Sequence, residues 1–193
     1  MNGISEDSGA TTPVLVLLSG GLDSAACANF YVGREYHVEA MHFDYGQPGA
    51  EMEFKSAQAI AKHYAIKLHR YRLPNARQKG VGHIVGRNAF LLFAALLEFP
   101  WDAGLLGIGI HTGTPYFDCT NEFTERIQHI FDGYSNGRIK ISAPFLTWDK
   151  PRIWDYCLTA KVPVSQTYSC ESGSQVPCGI CASCKDMEVL HGQ

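Results

Sequence analysis

Short continuous apolar runs alternate along this chain with longer segments in which apolar residues return every three or four positions. The first run, Val14 to Leu18, reads as a buried parallel strand entering a tight turn, and Val38 to Phe43, Lys67 to Leu73, Leu105 to Ile110 and Ile139 to Ser142 read as further strands. Between them lie helical stretches. Ser24 to Gly33 carries an Ala-Ala-Cys-Ala run that lets it lie close to a sheet, and Ala50 to Tyr64 puts Phe54, Ala57, Ala61 and Tyr64 on one face. Ala89 to Phe99 is apolar almost all round, which predicts a helix sandwiched in the core. Asn121 to Tyr134 is amphipathic, with Phe123, Ile127, Ile130, Phe131 and Tyr134 expected inward. Asp149 caps a last helix from Lys150 to Ala160, with Pro151 tolerated in its first turn. With no repeat and no linker, this alternation predicts a single α/β domain over residues 1–193, with a doubly wound parallel five-stranded sheet in the order 3-2-1-4-5. The ligand crevice is expected between the carboxyl ends of strands one and four.

The first strand ends in Ser19-Gly20-Gly21-Leu22-Asp23-Ser24. Small residues between a buried strand and a helix leave the backbone amides free to close around phosphate oxygens, and the helix adds its positive end. Neither the GxxxxGK[ST] string nor GxGxxG is present. The hexapeptide resembles the SGGxDS loop of the PP-loop ATP pyrophosphatases, which cleave ATP between its α and β phosphates and transfer AMP to a carboxylate, amide or carbonyl oxygen.

The formal charge of -3 and pI near 6.2 offer no basic face for a polyanion, so nucleic acid is not expected as a direct partner. No stretch reaches the ~18 apolar residues of a membrane span. The start of the chain, with Glu6 and Asp7, lacks the basic opening of a signal peptide. The expected location is cytoplasmic, and residues 1–12, small, polar and acidic, read as a flexible tail. Of the seven cysteines, Cys27, Cys119 and Cys157 are scattered, whereas Cys170, Cys178, Cys181 and Cys184 are close together. That spacing suits one structural Zn2+ in a C-terminal segment, residues 165–193; an iron-sulfur cluster is the competing occupant.

Other candidates lie where strand ends meet the expected crevice. Asp44-Tyr45-Gly46-Gln47 closes the second strand, beside the phosphate loop, although by itself Asp44-Tyr45-Gly46 reads first as a solvent turn. Arg87 and Asn88 head the apolar helix, within reach of a phosphate or carboxylate, or of an acidic neighbour. The loop from His111 to Thr120 holds Tyr116, Phe117, Asp118 and Cys119 and is long for a connector, so it reads as a substrate loop. Lys150 stands at a helix start, where the dipole disfavours a cation; by default it is solvated, and the alternative is an anionic ligand nearby.

In order, Ser19 to Ser24, Asp44 to Gln47, Gly86-Arg87-Asn88, Phe117-Asp118-Cys119, and Ser169-Cys170 with Cys178, Cys181 and Cys184 resemble the 7-cyano-7-deazaguanine synthase (QueC) family over nearly the whole chain. The resemblance implies an adenine nucleotide alpha hydrolase-like fold with a C-terminal zinc knuckle. It also implies a zinc-containing, commonly dimeric ligase of the queuosine pathway that uses ATP to convert 7-carboxy-7-deazaguanine and ammonia to the nitrile. On that reading Ser19, Gly20, Gly21, Leu22, Asp23 and Ser24 hold the pyrophosphate, Asp23 with Mg2+, while Asp44 and Gln47 contribute to the ATP site. Arg87 and Lys150 neutralise phosphate or carboxylate charge, and Asn88, Tyr116, Phe117 and Asp118 grip the deazaguanine.

Two stretches depart from the family pattern. Pro48-Gly49 replaces a basic or histidine residue, and His111-Thr112-Gly113-Thr114-Pro115-Tyr116-Phe117 replaces the usual Asp-Tyr-Ser-Gly-Tyr-Pro lead into Asp-Cys. These leave open a QueC-like defence protein, which activates the same carboxylate and joins it to a protein amine. A third reading, a non-enzymatic zinc-bearing module, leaves the phosphate loop without a purpose.

Overall fold

The computed structural model describes residues 11–192. The tail expected over residues 1–12 therefore lies outside the described residues except for Thr11 and Thr12, both exposed. Strands β1 (Pro13–Leu17), β2 (His37–Asp44), β3 (Lys67–Arg72), β4 (Gly104–Gly107) and β5 (Ile139–Ser142) form a sheet in the order β3-β2-β1-β4-β5. Every pairing is parallel, with Val14 beside both Val38 and Leu105. The topology is the one the alternation of apolar runs and helices predicts.

The central strand explains its own composition. Val14, Val16 and Leu18 face a core shared with helices α1 (Leu22–Val32), α2 (Ala50–His63) and α5 (Lys150–Thr159), while Leu15 and Leu17 face a second core under α3 (Arg87–Leu97) and α4 (Asn121–Ser135). A strand buried on both faces must be apolar at every position, and each such Val or Leu contributes about 1.5–3 kcal/mol by burial. Glycine makes the close packing around it possible: a Cβ on Gly107 would stand 2.9 Å from the Tyr31 ring.

Three expectations are corrected. Helix α3 is not sandwiched: it buries Leu92 and Ala95 in the core it shares with the sheet and Asn88 against Asp118, while Phe90 and Leu97 are 41% and 83% exposed. No layer of described residues covers its outer face, so apolarity all round does not here mean burial all round. In α4 the inward stripe is Phe123, Ile127, Phe131 and Ser135, a strict four-residue step; Ile130 and Tyr134 fall on its exposed flank. In α2 the buried face is Ala57, Ile60 and Ala61, with Phe54 and Tyr64 at its half-buried margin. The C-terminal segment also contains a helix that the pattern did not announce, α6 (Ala182–His191), opening directly on Cys181.

Candidate active site

The turn after β1 is assembled by backbone contacts that only glycine permits. Gly20 has φ +93, and a Cβ there would lie 2.4 Å from the Glu53 carbonyl oxygen of α2. Its own carbonyl accepts from Ser56 Oγ at 2.7 Å and from the Tyr168 N–H at 2.9 Å, which ties the turn to α2 and to the C-terminal segment. Ser19 Oγ donates to Ser24 Oγ at 3.1 Å, and Ser24 Oγ donates in turn to the Gly21 carbonyl at 2.9 Å. The turn is thereby closed on itself. Gly21 is the N-cap of α1 and offers no side-chain acceptor, so the first amides of the helix have no capping side chain. An N-terminus of this kind, entered from a buried strand through glycines, favours an anion.

Asp23 lies in the first turn of α1, and Lys150 in the first turn of α5. Lys150 Nζ stands 2.7 Å from each carboxylate oxygen of Asp23. The anion that meets the lysine at this helix start is thus a side chain of the protein itself. Asp23's backbone is held by Gly109, beyond the end of β4, where a Cβ would come within 2.5 Å of the Asp23 carbonyl oxygen. The same extension carries His111, which is buried, with Nε2 3.9 Å from Asp23 Oδ2 and Nδ1 accepting from the Gly113 N–H at 3.1 Å. Burial holds the His111 pKa below its ordinary value, against the opposing pull of Asp23.

At the head of α3, the Asn88 backbone N–H donates to Asp118 Oδ2 at 3.3 Å and Asn88 Nδ2 to the Asp118 carbonyl at 3.0 Å. Asp118 is therefore an anion set on the open end of a helix, with the expected substrate loop clamped to α3 through it. Arg87 Nε donates to Asn88 Oδ1 at 3.1 Å, and its guanidinium lies beside Tyr45 and Glu53. Tyr116 stacks on His83 with ring centroids 4.2 Å apart and planes 4° apart, so one face of that ring is already covered. Phe117 is 54% exposed.

Asp44 and Gln47 are largely committed to the protein. Asp44 Oδ2 accepts from Arg72 Nε at 2.8 Å, and Oδ1 from the Gly46 N–H at 3.3 Å. Gln47 accepts from the Tyr45 N–H and donates to the Phe43 carbonyl and to Glu53 Oε2, at 2.9, 2.9 and 2.8 Å. Both shape the turn after β2. Sequence reasoning missed Glu53 and Ser56, which reach the phosphate loop from α2; an acid and a serine on an ordinary amphipathic helix carry no signal of their own. Burial raises the Glu53 pKa above the usual carboxylate range, opposed by the Gln47 amide and by Arg87.

The sulfurs of Cys170, Cys178, Cys181 and Cys184 all lie within 4.8 Å of one another. Tetrahedral Zn2+ with Zn–S near 2.3 Å needs sulfur separations of about 3.8 Å, and the Cys178–Cys184 pair is at 3.9 Å. The Cys178 N–H donates to Cys170 Sγ and the Cys181 N–H to Cys178 Sγ, bonds that stabilise thiolates. Burial pushes Cys170 up, but the Ser172 hydroxyl, the Cys178 amide and Ser174 outweigh it and hold the thiol down at about 5. Cys27, Cys119 and Cys157 are buried apart from this group, and burial raises the pKa of each. A donor set of four close sulfurs fits structural zinc.

A family model described as queuosine biosynthesis protein QueC matches residues 13–81 and 74–188. A 7-cyano-7-deazaguanine synthase of Prochlorococcus marinus is 31% identical over 202 residues, taking in 89% of this chain and 90% of the relative. A 7-cyano-7-deazaguanine synthase 2 of Desulfitobacterium hafniense is 30% identical over 197 residues, 88% of this chain and 84% of the relative. Among solved structures, an NMN synthetase from Francisella tularensis aligns over 95% of this chain and 78% of its own, with a TM-score of 0.52 and 16% identity. A 4-thiouridine synthetase in complex with RNA and bound ATP aligns over 94% of this chain and 50% of its own, with a TM-score of 0.53 and 14% identity. At such identities the likeness is one of fold, the adenine nucleotide alpha hydrolase-like type. No described helix is long and apolar enough to cross a membrane.

Proposed function

The chain belongs to the QueC family, and from that premise we propose that it is an AMP-forming carbon–nitrogen ligase acting on the carboxylate of a 7-deazaguanine, with ammonia as the acceptor and the nitrile as the product. The observation that carries the reading is the phosphate loop Ser19–Ser24, with uncapped amides at the start of α1 and the Asp23–Lys150 pair at its rim.

The uncapped amides of α1 would take the β and γ phosphates, leaving the α-phosphorus toward the crevice between β1 and β4. Asp23 would hold Mg2+, which brings charge neutralisation to the leaving pyrophosphate. Lys150, once an anionic phosphate competes for it, would shift its ammonium from Asp23 to the nucleotide, and Arg87 would approach from the head of α3. The substrate carboxylate oxygen then attacks the α-phosphorus, pyrophosphate leaves, and the acyl-adenylate forms. Ammonia adds to the carbonyl carbon, its nitrogen gives up a proton to solvent, and AMP departs with that oxygen, giving the amide. A second adenylation on the amide oxygen, followed by loss of AMP and of the nitrogen protons, gives the nitrile. Protein groups position the reactants and stabilise charge in these steps; none is consumed.

For the deazaguanine, Asp118 offers a buried carboxylate with Oδ2 already bonded to Asn88, and Tyr116 a ring with one face taken by His83. A planar base would stack on the other face of Tyr116 or displace His83. Zn2+ on Cys170, Cys178, Cys181 and Cys184 would act structurally. Incubating the protein with 7-carboxy-7-deazaguanine, ATP and ammonium and determining the product mass tests this function. The nitrile is expected. Consumption of ATP with no small-molecule product, and mass gained instead by a protein amine, would replace ammonia with a protein acceptor.

A further inference from the structure

The geometry around Asp23 assigns a role to a residue that the chemistry above leaves unused. We infer that His111 is a positioning residue which takes over the Asp23 carboxylate when Lys150 turns to the nucleotide; the inference rests on the proposed binding of ATP at the Ser19–Ser24 loop.

Without nucleotide, Lys150 satisfies both oxygens of Asp23 at 2.7 Å. A polyphosphate in the loop competes for that ammonium, and its loss would leave the carboxylate without a charged partner at a site where its side chain is only 24% exposed. His111 is the group placed to meet it. Its ring orientation is not free: Nδ1 accepts from the Gly113 N–H at 3.1 Å, so the neutral ring carries its proton on Nε2, the nitrogen 3.9 Å from Asp23 Oδ2. Gly113 is what allows this, because a Cβ there would stand 2.8 Å from His111 Nδ1. The backbone on both sides is anchored, with the Ile108 N–H donating to the Ser142 carbonyl at 3.0 Å and the Thr112 N–H to the Leu146 carbonyl at 2.8 Å. The carboxylate needs to move by about 1 Å to bring 3.9 Å into hydrogen-bonding range. Oδ2 would then rest on His111 while Oδ1 faces outward to the divalent cation carried with ATP. The ring would act by holding the acid in one orientation.

The test compares the full-length protein with His111→Leu and His111→Gln, using calorimetric titration of ATP with Mg2+ and of ATP in Mg2+-free buffer without chelator. Leucine removes the donor; glutamine keeps an acceptor for Gly113 and a donor near the position of Nε2. The inference expects His111→Leu to weaken Mg2+·ATP binding by about tenfold, the loss of roughly one charged hydrogen bond. It expects ATP binding without Mg2+ to change less than about twofold, and His111→Gln to recover Mg2+·ATP binding to within about threefold of the parent. Equal weakening with and without Mg2+, no rescue by glutamine, or undiminished Mg2+·ATP binding by His111→Leu would overturn it. Failure of the parent protein to bind ATP would instead overturn the reading on which it rests.

Discussion

Lys150 Nζ reaches both carboxylate oxygens of Asp23 at 2.7 Å, joining the first turn of α5 to the first turn of α1 across the sheet's carboxyl edge. Each side chain is 24% exposed. Ion pairs with this much solvent contact contribute about 0–1 kcal/mol to stability, too little to explain a lysine kept at a helix start where the dipole disfavours it. On the proposed function the pair would be a pre-set exchange, with Asp23 keeping Lys150 in place until an anion claims it.

Asp23→Asn and Lys150→Met should therefore each lower ligase turnover by at least about a hundredfold, the scale on which groups that stabilise a developing charge act, while the melting temperature changes by only a few degrees. Turnover assays paired with thermal melts check this. Loss of folding along with activity would make the pair a structural device.

The two loop glycines should separate in their effects. Gly20→Ala combines a φ of +93 with a Cβ 2.4 Å from Glu53 O and should destabilise the fold by about 1–3 kcal/mol. Gly21→Ala has its nearest obstacle at 3.6 Å and should fold normally, yet bind ATP more weakly, because its methyl group crowds the amides the phosphate would use. Denaturant unfolding and nucleotide titration of both variants separate packing from binding.

Metal removal should be felt at a distance. The C-terminal segment meets the phosphate loop through Tyr168 N–H on the Gly20 carbonyl, and meets the turn after β2 at Gly173, where a Cβ would fall 2.1 Å from the Pro48 carbonyl oxygen. Metal analysis should find one zinc per chain, without iron or sulfide. Chelation or Cys181→Ser should expose the amides of α6 and residues 165–184 to hydrogen exchange, and weaken ATP binding, since zinc supplies most of the folding energy of such knuckles. Retained protection after complete metal removal would contradict it.

Stability should fall on mild acidification. His42 is 1% exposed, and Nδ1 is bonded to the Leu18 carbonyl at 3.0 Å while Nε2 has no hydrogen-bond partner among the described residues; burial keeps its pKa below the ordinary value. A histidine with a depressed folded pKa stays neutral while the unfolded chain takes up a proton near pH 6.5. Its contribution is thus fully present above that pH and is lost as pH falls toward the folded value, with a slope of at most about 1.4 kcal/mol per pH unit. Urea unfolding between pH 7.5 and 5 should show the decline, and His42→Phe should flatten part of it.

How much of this was legible in the sequence depended on whether the signal was local. Val14 to Leu18 announced a strand buried on both faces because every position had to be apolar, and the cysteine cluster announced its sulfur site because its spacing is the geometry. Lys150 was legible as an oddity, a cation at a helix start, but not its partner, which lies 127 residues away. Glu53, Ser56 and His111 were not legible as site-forming residues, since each owes its importance to a contact made in three dimensions: Glu53 O against Gly20, Ser56 Oγ on the Gly20 carbonyl, His111 across Gly113 to Asp23. Helix α3 was misread for the opposite reason. Its apolar outer face is real, but burial depends on a covering layer that the described residues do not supply.

The central claim is that the enzyme activates a carboxylate by adenylation, and its most direct test follows one oxygen atom. With 7-carboxy-7-deazaguanine labelled by 18O in the carboxylate, together with ATP and ammonium, the account predicts AMP and pyrophosphate as the nucleotide products, with one 18O in the AMP phosphate, because the oxygen that attacks the α-phosphorus leaves with AMP. ADP and inorganic phosphate as the direct products, or AMP free of the label, would contradict it.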